Sequence, residues 1–357
     1  MGLKVALTYN LKRKIEDADL PDDYYSEFDS KETIEAIAGG LRSGGNEVFL
    51  VEADKGLLNW FLNNDVDIVF NIAEGLHGES RESQVPAILD FLDIPYTGSG
   101  ILALSVSLNK TLTKRLFEQS GIPTPNYKLI KDPAGLSDSG LKYPLIVKPN
   151  SEGSGKGITI TSVVRDKEQL AREVERTHRI YKQEILVEEF IEGKELTVGI
   201  LGNDPPAALP TLEIDFSSCN NSGEYFYTWK VKEYEKEVEE KLGLSPLWHC
   251  PARLSEADMS KVRDVALKAH SVLGCADLSR VDIIFSKDGI PYVLEVNPLP
   301  GLDPKDSNFP HIAKCAGLSY AELMNKIVDV ALERYKTKNG NLACPSGRQA
   351  LQERSLR

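Results

Sequence analysis

Residues 148–157 read Lys148-Pro149-Asn150-Ser151-Glu152-Gly153-Ser154-Gly155-Lys156-Gly157, a run of small residues between two β-like stretches, Leu145 to Lys148 and Ile158 to Thr161. Several phosphate-binding loops share this glycine density, and the neighbouring residues separate them. A P-loop requires glycine at 150 and Ser or Thr after Lys156, where Asn150 and Gly157 stand; a dinucleotide fingerprint requires glycine at 158, where Ile158 stands. Both also lead into a helix, whereas strand-like sequence follows here. What remains is a flexible strand-loop-strand flap whose backbone N–H groups close over phosphates while Lys148 supplies charge. The alternative is a plain glycine-rich hairpin turn.

A second informative stretch lies downstream, where Arg280-Val281-Asp282 and Glu295-Val296-Asn297 flank a hairpin turned by Ser286-Lys287-Asp288-Gly289. Adjacent antiparallel strands put Asp282 and Glu295 on neighbouring positions of one face, with Asn297 two residues further along it. Two carboxylates and an amide oxygen are hard ligands, suited to Mg²⁺ that keeps waters and bridges nucleotide phosphates. Buried acids this close are costly without a cation. Solvated acids on an open sheet face are the alternative, but Ile283, Ile284, Val293, Leu294 and Val296 imply a buried sheet.

Around these stretches the chain alternates. Up to about residue 105, strand-like runs (Leu3 to Tyr9, Glu47 to Glu52, Val66 to Asn71) alternate with helical periods, the first opened by the capping-box spacing of Asp29-Ser30-Lys31-Glu32. Continuous apolar strands between amphipathic helices predict a parallel sheet covered on both faces, a Rossmann-like unit. A helix from Lys110 to Ser120 ends at Gly121, and Pro123 and Pro125 mark a stiff linker. A small α+β pattern follows, with a long helix from Lys167 to Tyr181 and a strand from Ile185 to Phe190. From Leu196 the chain is mostly strands, Leu209 to Ile214 among them, with helices at Ser255 to Leu273 and Ser319 to Tyr335. The expected division is 1–109, 110–193 and 194–336, with 337–357 a non-periodic tail.

Composition narrows the function classes. The 357 residues carry 42 Lys+Arg against 54 Asp+Glu, a net charge of −12. Such a chain is poorly suited to tracking nucleic-acid phosphates or anionic lipid. No apolar stretch approaches a membrane span, and the start runs straight into strand-like sequence, so a cytoplasmic protein without a signal peptide is expected. The five scattered cysteines suggest reduced thiols, and His178, His249, His270 and His311 have no metal-ligand spacing.

The order of these stretches resembles the ATP-grasp superfamily, and most closely the D-alanine:D-alanine ligase family. The likeness is carried by Pro95-Tyr96-Thr97-Gly98-Ser99-Gly100, Ser107-Leu108-Asn109-Lys110, Lys148 to Gly157, Val187-Glu188-Glu189-Phe190-Ile191, Glu195-Leu196-Thr197-Val198, Cys250-Pro251-Ala252, Arg280-Val281-Asp282 and Glu295-Val296-Asn297-Pro298-Leu299-Pro300-Gly301. It implies a three-domain α/β and α+β fold and an ADP-forming carbon–nitrogen ligase working through an acylphosphate, with ATP and two Mg²⁺ ions, Mn²⁺ being an alternative. By the same resemblance Lys110, Lys148 and Lys232 (or Lys230) meet ATP phosphates, Glu188, Glu189 and Ile191 line the adenine pocket, and Glu195 holds the ribose. Asp282, Glu295 and Asn297 hold the metal. Arg280 and the Gly301 N–H face the oxyanion, and Ser154 and Ser307 lie near amino-acid substrates. A homodimer and small-molecule partners are the family habit.

Three departures fall on the substrate side. The family's Gly-Gly-x-Ser-x-Glu loop is replaced by Thr8-Tyr9-Asn10-Leu11-Lys12-Arg13-Lys14 and an acidic stretch from Glu16 to Glu27. Its His-Gly-x-x-Gly-Glu-Asp-Gly reads Glu74-Gly75-Leu76-His77-Gly78-Glu79-Ser80-Arg81, with Glu74 in place of the histidine. The tyrosine after the phosphate lysine is Glu233, or Val231 in the other register. A rebuilt first-substrate pocket is implied, in which Glu74 and Glu79 attract a cationic group and Arg81 meets a carboxylate; the alternative is an internally paired loop. The leading function is a carboxylate–amine ligase, for D-alanine or for another first substrate. An ATP-binding regulatory protein that has lost turnover and a phosphoryl-transfer enzyme of the same fold are the competing classes.

Overall fold

The computed structural model describes residues 2–17, 20–136, 140–219 and 246–338. The expected nucleotide-lysine segment, Tyr227 to Glu233, and the tail beyond 338 lie outside the described residues.

The apolar runs at the N-terminus form a parallel sheet in the order β2-β1-β3, from β1 (Lys4–Tyr9), β2 (Glu47–Glu52) and β3 (Ile68–Asn71). Helices α1 (Lys31–Ser43) and α2 (Leu57–Asn63) connect them, and α3 (Gln84–Phe91), α4 (Ile101–Leu108) and α5 (Lys110–Gln119) follow. Helix α1 starts at Ser30, whose hydroxyl accepts from the Thr33 N–H at 3.1 Å. Asp29 therefore stands outside the helix.

The second sheet is antiparallel, in the order β4-β7-β5-β6, from β4 (Tyr127–Ile130), β5 (Leu145–Pro149), β6 (Val163–Val164) and β7 (Ile185–Glu189). Helix α6 (Lys167–Tyr181) packs Leu170 and Val174 against it. The strand expected at Ile158 to Thr161 is not there. Thr159 and Ser162 exchange side-chain and backbone hydrogen bonds, which turn Ile160–Ser162 into a 3₁₀ turn and delay the ladder to Val163.

The third sheet runs β11-β10-β8-β12-β13, with β9 beside β8. Its strands are β8 (Gly193–Leu201), β9 (Ala207–Ala208), β10 (Leu212–Asp215), β11 (Leu247–His249), β12 (Leu278–Ser286) and β13 (Pro291–Asn297). The strand expected from Leu209 begins only at Leu212, since Pro210 has no N–H to give to the ladder. Helix α7 (Glu256–Val272) covers one face through Val262, Ala266 and Ala269. Helices α8 (Asn308–Cys315) and α9 (Tyr320–Lys338) then return to the first unit.

That return joins the ends of the chain in one core. Val5, Leu7, Ile68 and Phe70 of the first sheet share a cluster with Ile37 and Leu41 of α1 and with Phe309, Leu323, Met324 and Ile327. Each such side chain contributes about 1.5–3 kcal/mol by leaving water. Helices α1 and α9 approach so closely that a Cβ on Gly40 would meet Met324 Cγ at 2.9 Å. A second tie is polar. The fully buried Asp277 carboxylate accepts from the Gly98 N–H (2.8 Å), from Asn203 (2.9 Å) and from the Arg334 guanidinium (2.8 and 2.9 Å).

Candidate active site

A cavity of about 920 Å³ opens where the three sheets meet. Lys110, Lys148, Ser154, Glu188, Glu189, Ile191, Glu195, Arg280, Asp282, Glu295, Asn297, Gly301, Ser307 and Glu74 all line it. Residues more than 200 positions apart in sequence thus face one volume.

Two elements set the metal-ligand candidates. Across the β12–β13 hairpin Asp282 pairs with Glu295 and Arg280 with Asn297. A bulge follows at once, since Ile283 pairs with Val293, so Leu294 is the extra residue. It lets Val293 and Val296 both reach the core under α7 while Glu295 and Asn297 face the cavity. Asp282 accepts from the Arg280 guanidinium (2.8 and 3.0 Å), the Thr197 hydroxyl (2.6 Å) and the Asn297 amide (3.0 Å).

Glu295 lies 2.9 Å from the Lys110 ammonium. Burial alone would raise its pKa, but Lys110, Lys148 and Arg280 outweigh burial and hold it at about 2. Lys110 is itself placed by the start of the flap: its N–H donates to the Asn150 carbonyl, and the Asn150 side chain accepts from the Thr111 N–H and hydroxyl. Beneath the site Glu188 forms ion pairs with both Lys148 and the fully buried Lys114. Burial drives the Lys114 ammonium down to about 8 despite Glu188, and Lys148 adds to the effect.

The glycine-rich loop takes left-handed backbone at Ser154, Gly155 and Gly157, with φ of 51°, 71° and 78°. Its N–H groups are held by the acidic N-terminal stretch. Gly153 donates to Glu27 at 2.8 Å and Gly157 to Asp23 at 2.8 Å, and Asp23 also accepts from the Tyr181 hydroxyl at 2.6 Å. At the other end of the cavity Ser307 accepts from the Asp303 N–H at 3.0 Å. A Cβ on Gly301 would come within 2.9 Å of the Ser307 hydroxyl, so a side chain there would displace that hydroxyl from the Asp303 N–H.

Two substrate candidates are placed elsewhere. Glu79 is exposed and does not line the cavity, because the turn carrying it points outward. Arg81 is buried and committed to Glu27 (2.6 Å) and Glu152 (3.1 Å), so it braces the flap where a substrate carboxylate was expected. His77 is exposed, and Trp60 packs on Phe49 and Phe61. Sequence reasoning missed Asp29, Glu82 and Asp303 on the cavity wall and Lys114 below it. The one signal for Glu82 was its place in an acidic loop already departing from the expected pattern.

The family model described as D-ala D-ala ligase C-terminus matches residues 116–329. An uncharacterized protein of Sinorhizobium fredii is 35% identical over 84% of this chain and 88% of its own. The D-alanine–D-alanine ligase of Desulforamulus reducens is 35% identical over 84% of this chain and 93% of its own, and that of Carboxydothermus hydrogenoformans 35% over 85% and 94%. The solved D-alanine–D-alanine ligase of Bacillus anthracis, complexed with ATP, superposes with a TM-score of 0.73 at 24% identity, over 94% of this chain and all of its own. These likenesses and the ATP-grasp arrangement of sheets and flap agree: the chain belongs to the D-alanine–D-alanine ligase family.

Proposed function

We propose that this protein is an ATP- and Mg²⁺-dependent carboxylate–amine ligase that joins two amino-acid-like substrates through an acylphosphate and releases ADP and phosphate. The observation that carries the proposal is the convergence of Lys110, Lys148, Arg280, Asp282, Glu295 and Asn297 on one cavity closed by the glycine-rich flap.

The donor set fits magnesium. Among the described residues no three His, Cys, Asp or Glu side chains gather into a metal cage. Two carboxylates and an amide are what Mg²⁺ needs where it keeps waters and shares substrate phosphates. Asp282, Glu295 and Asn297 would hold it, one ion or two, with Mn²⁺ as substitute. The metal would neutralise phosphate charge as the γ-phosphoryl group transfers.

The chain's own residues supply the rest. Lys110 and Lys148 place two ammonium groups beside the phosphates, and Glu188, which pairs with Lys148, also walls the adenine pocket with Glu189 and Ile191. Glu195 faces the ribose. A carboxylate oxygen of the first substrate attacks the γ-phosphorus as the bond to ADP breaks; the amine of the second then attacks the acyl carbon and phosphate leaves. Arg280 and the Gly301 N–H face the oxyanion formed in between, with Ser154 and Ser307 beside the substrates. The flap excludes water, which would hydrolyse the acylphosphate.

No helix among the described residues is long and apolar enough to cross a membrane. A cytoplasmic enzyme acting on small molecules rather than nucleic acid completes the proposal. A homodimer through the first unit is supported by Phe91 and Leu102, 84% and 75% exposed on α3 and α4. The test is phosphate release from ATP and Mg²⁺ over a panel of D- and L-amino acids, with mass spectrometry of the products. An amide from at least one pair is expected; no amide from any pair refutes the ligase.

A further inference from the structure

Beyond the phosphate-facing groups, the cavity ends on a wall built by the segment before α1 and the turn after β3. Asp29, Glu74 and Glu82 line it. Most of the cations around this wall are shared with acids outside it. Arg81 and Lys156 both pair with Glu27 and Glu152, Lys110 pairs with Glu295, and Lys114 and Lys148 pair with Glu188. Lys12 faces Asp29. Asp303 is held by the Thr33 hydroxyl (2.5 Å) and by the N–H groups of Lys305 and Asp306. Glu82 is only 8% exposed, and the charges that offset its acidic neighbours come from Arg81 and Lys110, both already paired with other acids.

A separate observation points into the same volume. Ser107 on α4 is 5% exposed and lines the cavity with a hydroxyl that has no partner. The Ser83–Ser105 hydroxyl contact (3.1 Å) ties α4 to the turn that carries Glu82. An orphaned hydroxyl and clustered carboxylates with only shared counter-charges beside one cavity are groups that a ligand satisfies.

We propose that this wall binds the cationic part of the first, phosphorylated substrate, and that this substrate is a basic amino acid with a second amine on its side chain. The inference rests on the ligase reading above and deepens it. A single α-ammonium needs one carboxylate, and a neutral side chain such as alanine's would leave Glu74 or Glu82 beside other acids with only the shared charge of Arg81. A side-chain ammonium meets that second carboxylate, and its remaining N–H reaches the Ser107 hydroxyl. Burial and then the neighbouring Glu27 carboxylate push Glu82 up to about 8, and burial and Asp303 push Asp29 up to about 7, the strain that such a cation relieves.

The test compares kcat/KM for phosphate release by the full chain with D- and L-lysine, ornithine and diaminopropionate against alanine and serine, with products read by mass spectrometry. The wild type is expected to favour a basic amino acid over alanine by about 100-fold or more. Glu82→Gln and Glu74→Gln should each reduce that ratio about tenfold, through KM rather than kcat. Calorimetric binding of the same amino acids in the presence of ADP gives an arm independent of turnover. Alanine preferred or equal in the wild type, or a ratio unchanged in both variants, overturns the inference. Amide formed only from neutral amino acids sinks this inference alone, whereas no amide from any pair, with lysine still bound, sinks the ligase reading. Glu74 is partly exposed, so its variant keeps the test decisive if Glu82→Gln does not fold.

Discussion

Replacing Glu82 by glutamine should make the empty protein more stable at high pH, because the folded state holds this carboxyl with a pKa of about 8 against an ordinary 4.5. Burial is the main cause and the Glu27 carboxylate adds to it. Between pH 4.5 and 8 the folded chain therefore keeps a proton that the unfolded chain has lost, and stability falls as pH rises through that window. The 3.5-unit difference (8 − 4.5), at about 1.4 kcal/mol per unit, sets a ceiling of about 5 kcal/mol above pH 8. The cavity admits water beside Glu82, which screens part of this, so at least ~2 kcal/mol is expected. Glutamine keeps the shape and carries no charge. The assay is urea unfolding of both proteins at pH 5, 7 and 9 without metal or ligand. Subtracting the two curves removes acids that do not interact with Glu82; Glu74, which burial and then Glu82 push up, is relieved in the variant and moves the difference in the same direction, while Glu27, held low by Arg81 and Lys156 against its burial, contributes stability that is lost only as pH falls. The variant should match the wild type at pH 5 and exceed it at pH 9. Parallel pH curves, or a variant weaker at pH 9, would refute the reasoning.

Glu295→Ala should lower phosphate release by at least about a hundredfold while the protein stays folded by circular dichroism, because the residue lines the cavity and Lys110, which loses this partner, still donates to the Glu152 carbonyl. Glu188→Gln leaves the buried Lys114 and Lys148 without a full counter-charge and should cost about 3–5 kcal/mol in urea unfolding. Asp277→Ala removes the partner of Arg334 and of the Gly98 N–H, and a drop of about 3 kcal/mol is expected. An unchanged midpoint in either protein would mean that the pairs are solvated.

Much of the fold was legible because period and capping agree with tertiary structure. The parallel sheet follows from apolar runs at Lys4–Tyr9 and Ile68–Asn71, and α9 from the Ser319–Glu322 box, whose two bonds are both present (2.8 and 3.3 Å). Errors fell where one side chain or one missing N–H overrules a pattern. Thr159 and Ser162 made a turn from a strand-like run, and Pro210 shortened β10. The joining of α9 to the first unit was not legible, since its apolar face matches any core; the close passage of Gly40 over Met324 appears only in three dimensions.

The site shows the same division more sharply. Asp282, Glu295 and Asn297 were readable as one face because hairpin pairing and alternation put them there, yet strict alternation also puts Glu295 on the side of Val293, which is core. The bulge at Leu294 resolves the conflict, and a clue was present: Val293 and Val296 are both apolar and three apart, a spacing that a regular strand cannot bury on one side. Arg81 could not be read this way. Its partners Glu27 and Glu152 lie 54 and 71 residues away and arrive through the N-terminal stretch and the flap. A charged residue in a rebuilt loop reads as a ligand contact until its counter-charges are located. Once they are, Arg81 belongs to the brace that holds the flap, and Glu74 and Glu82, which only share its charge, are the acids that line the cavity where the proposal puts substrate.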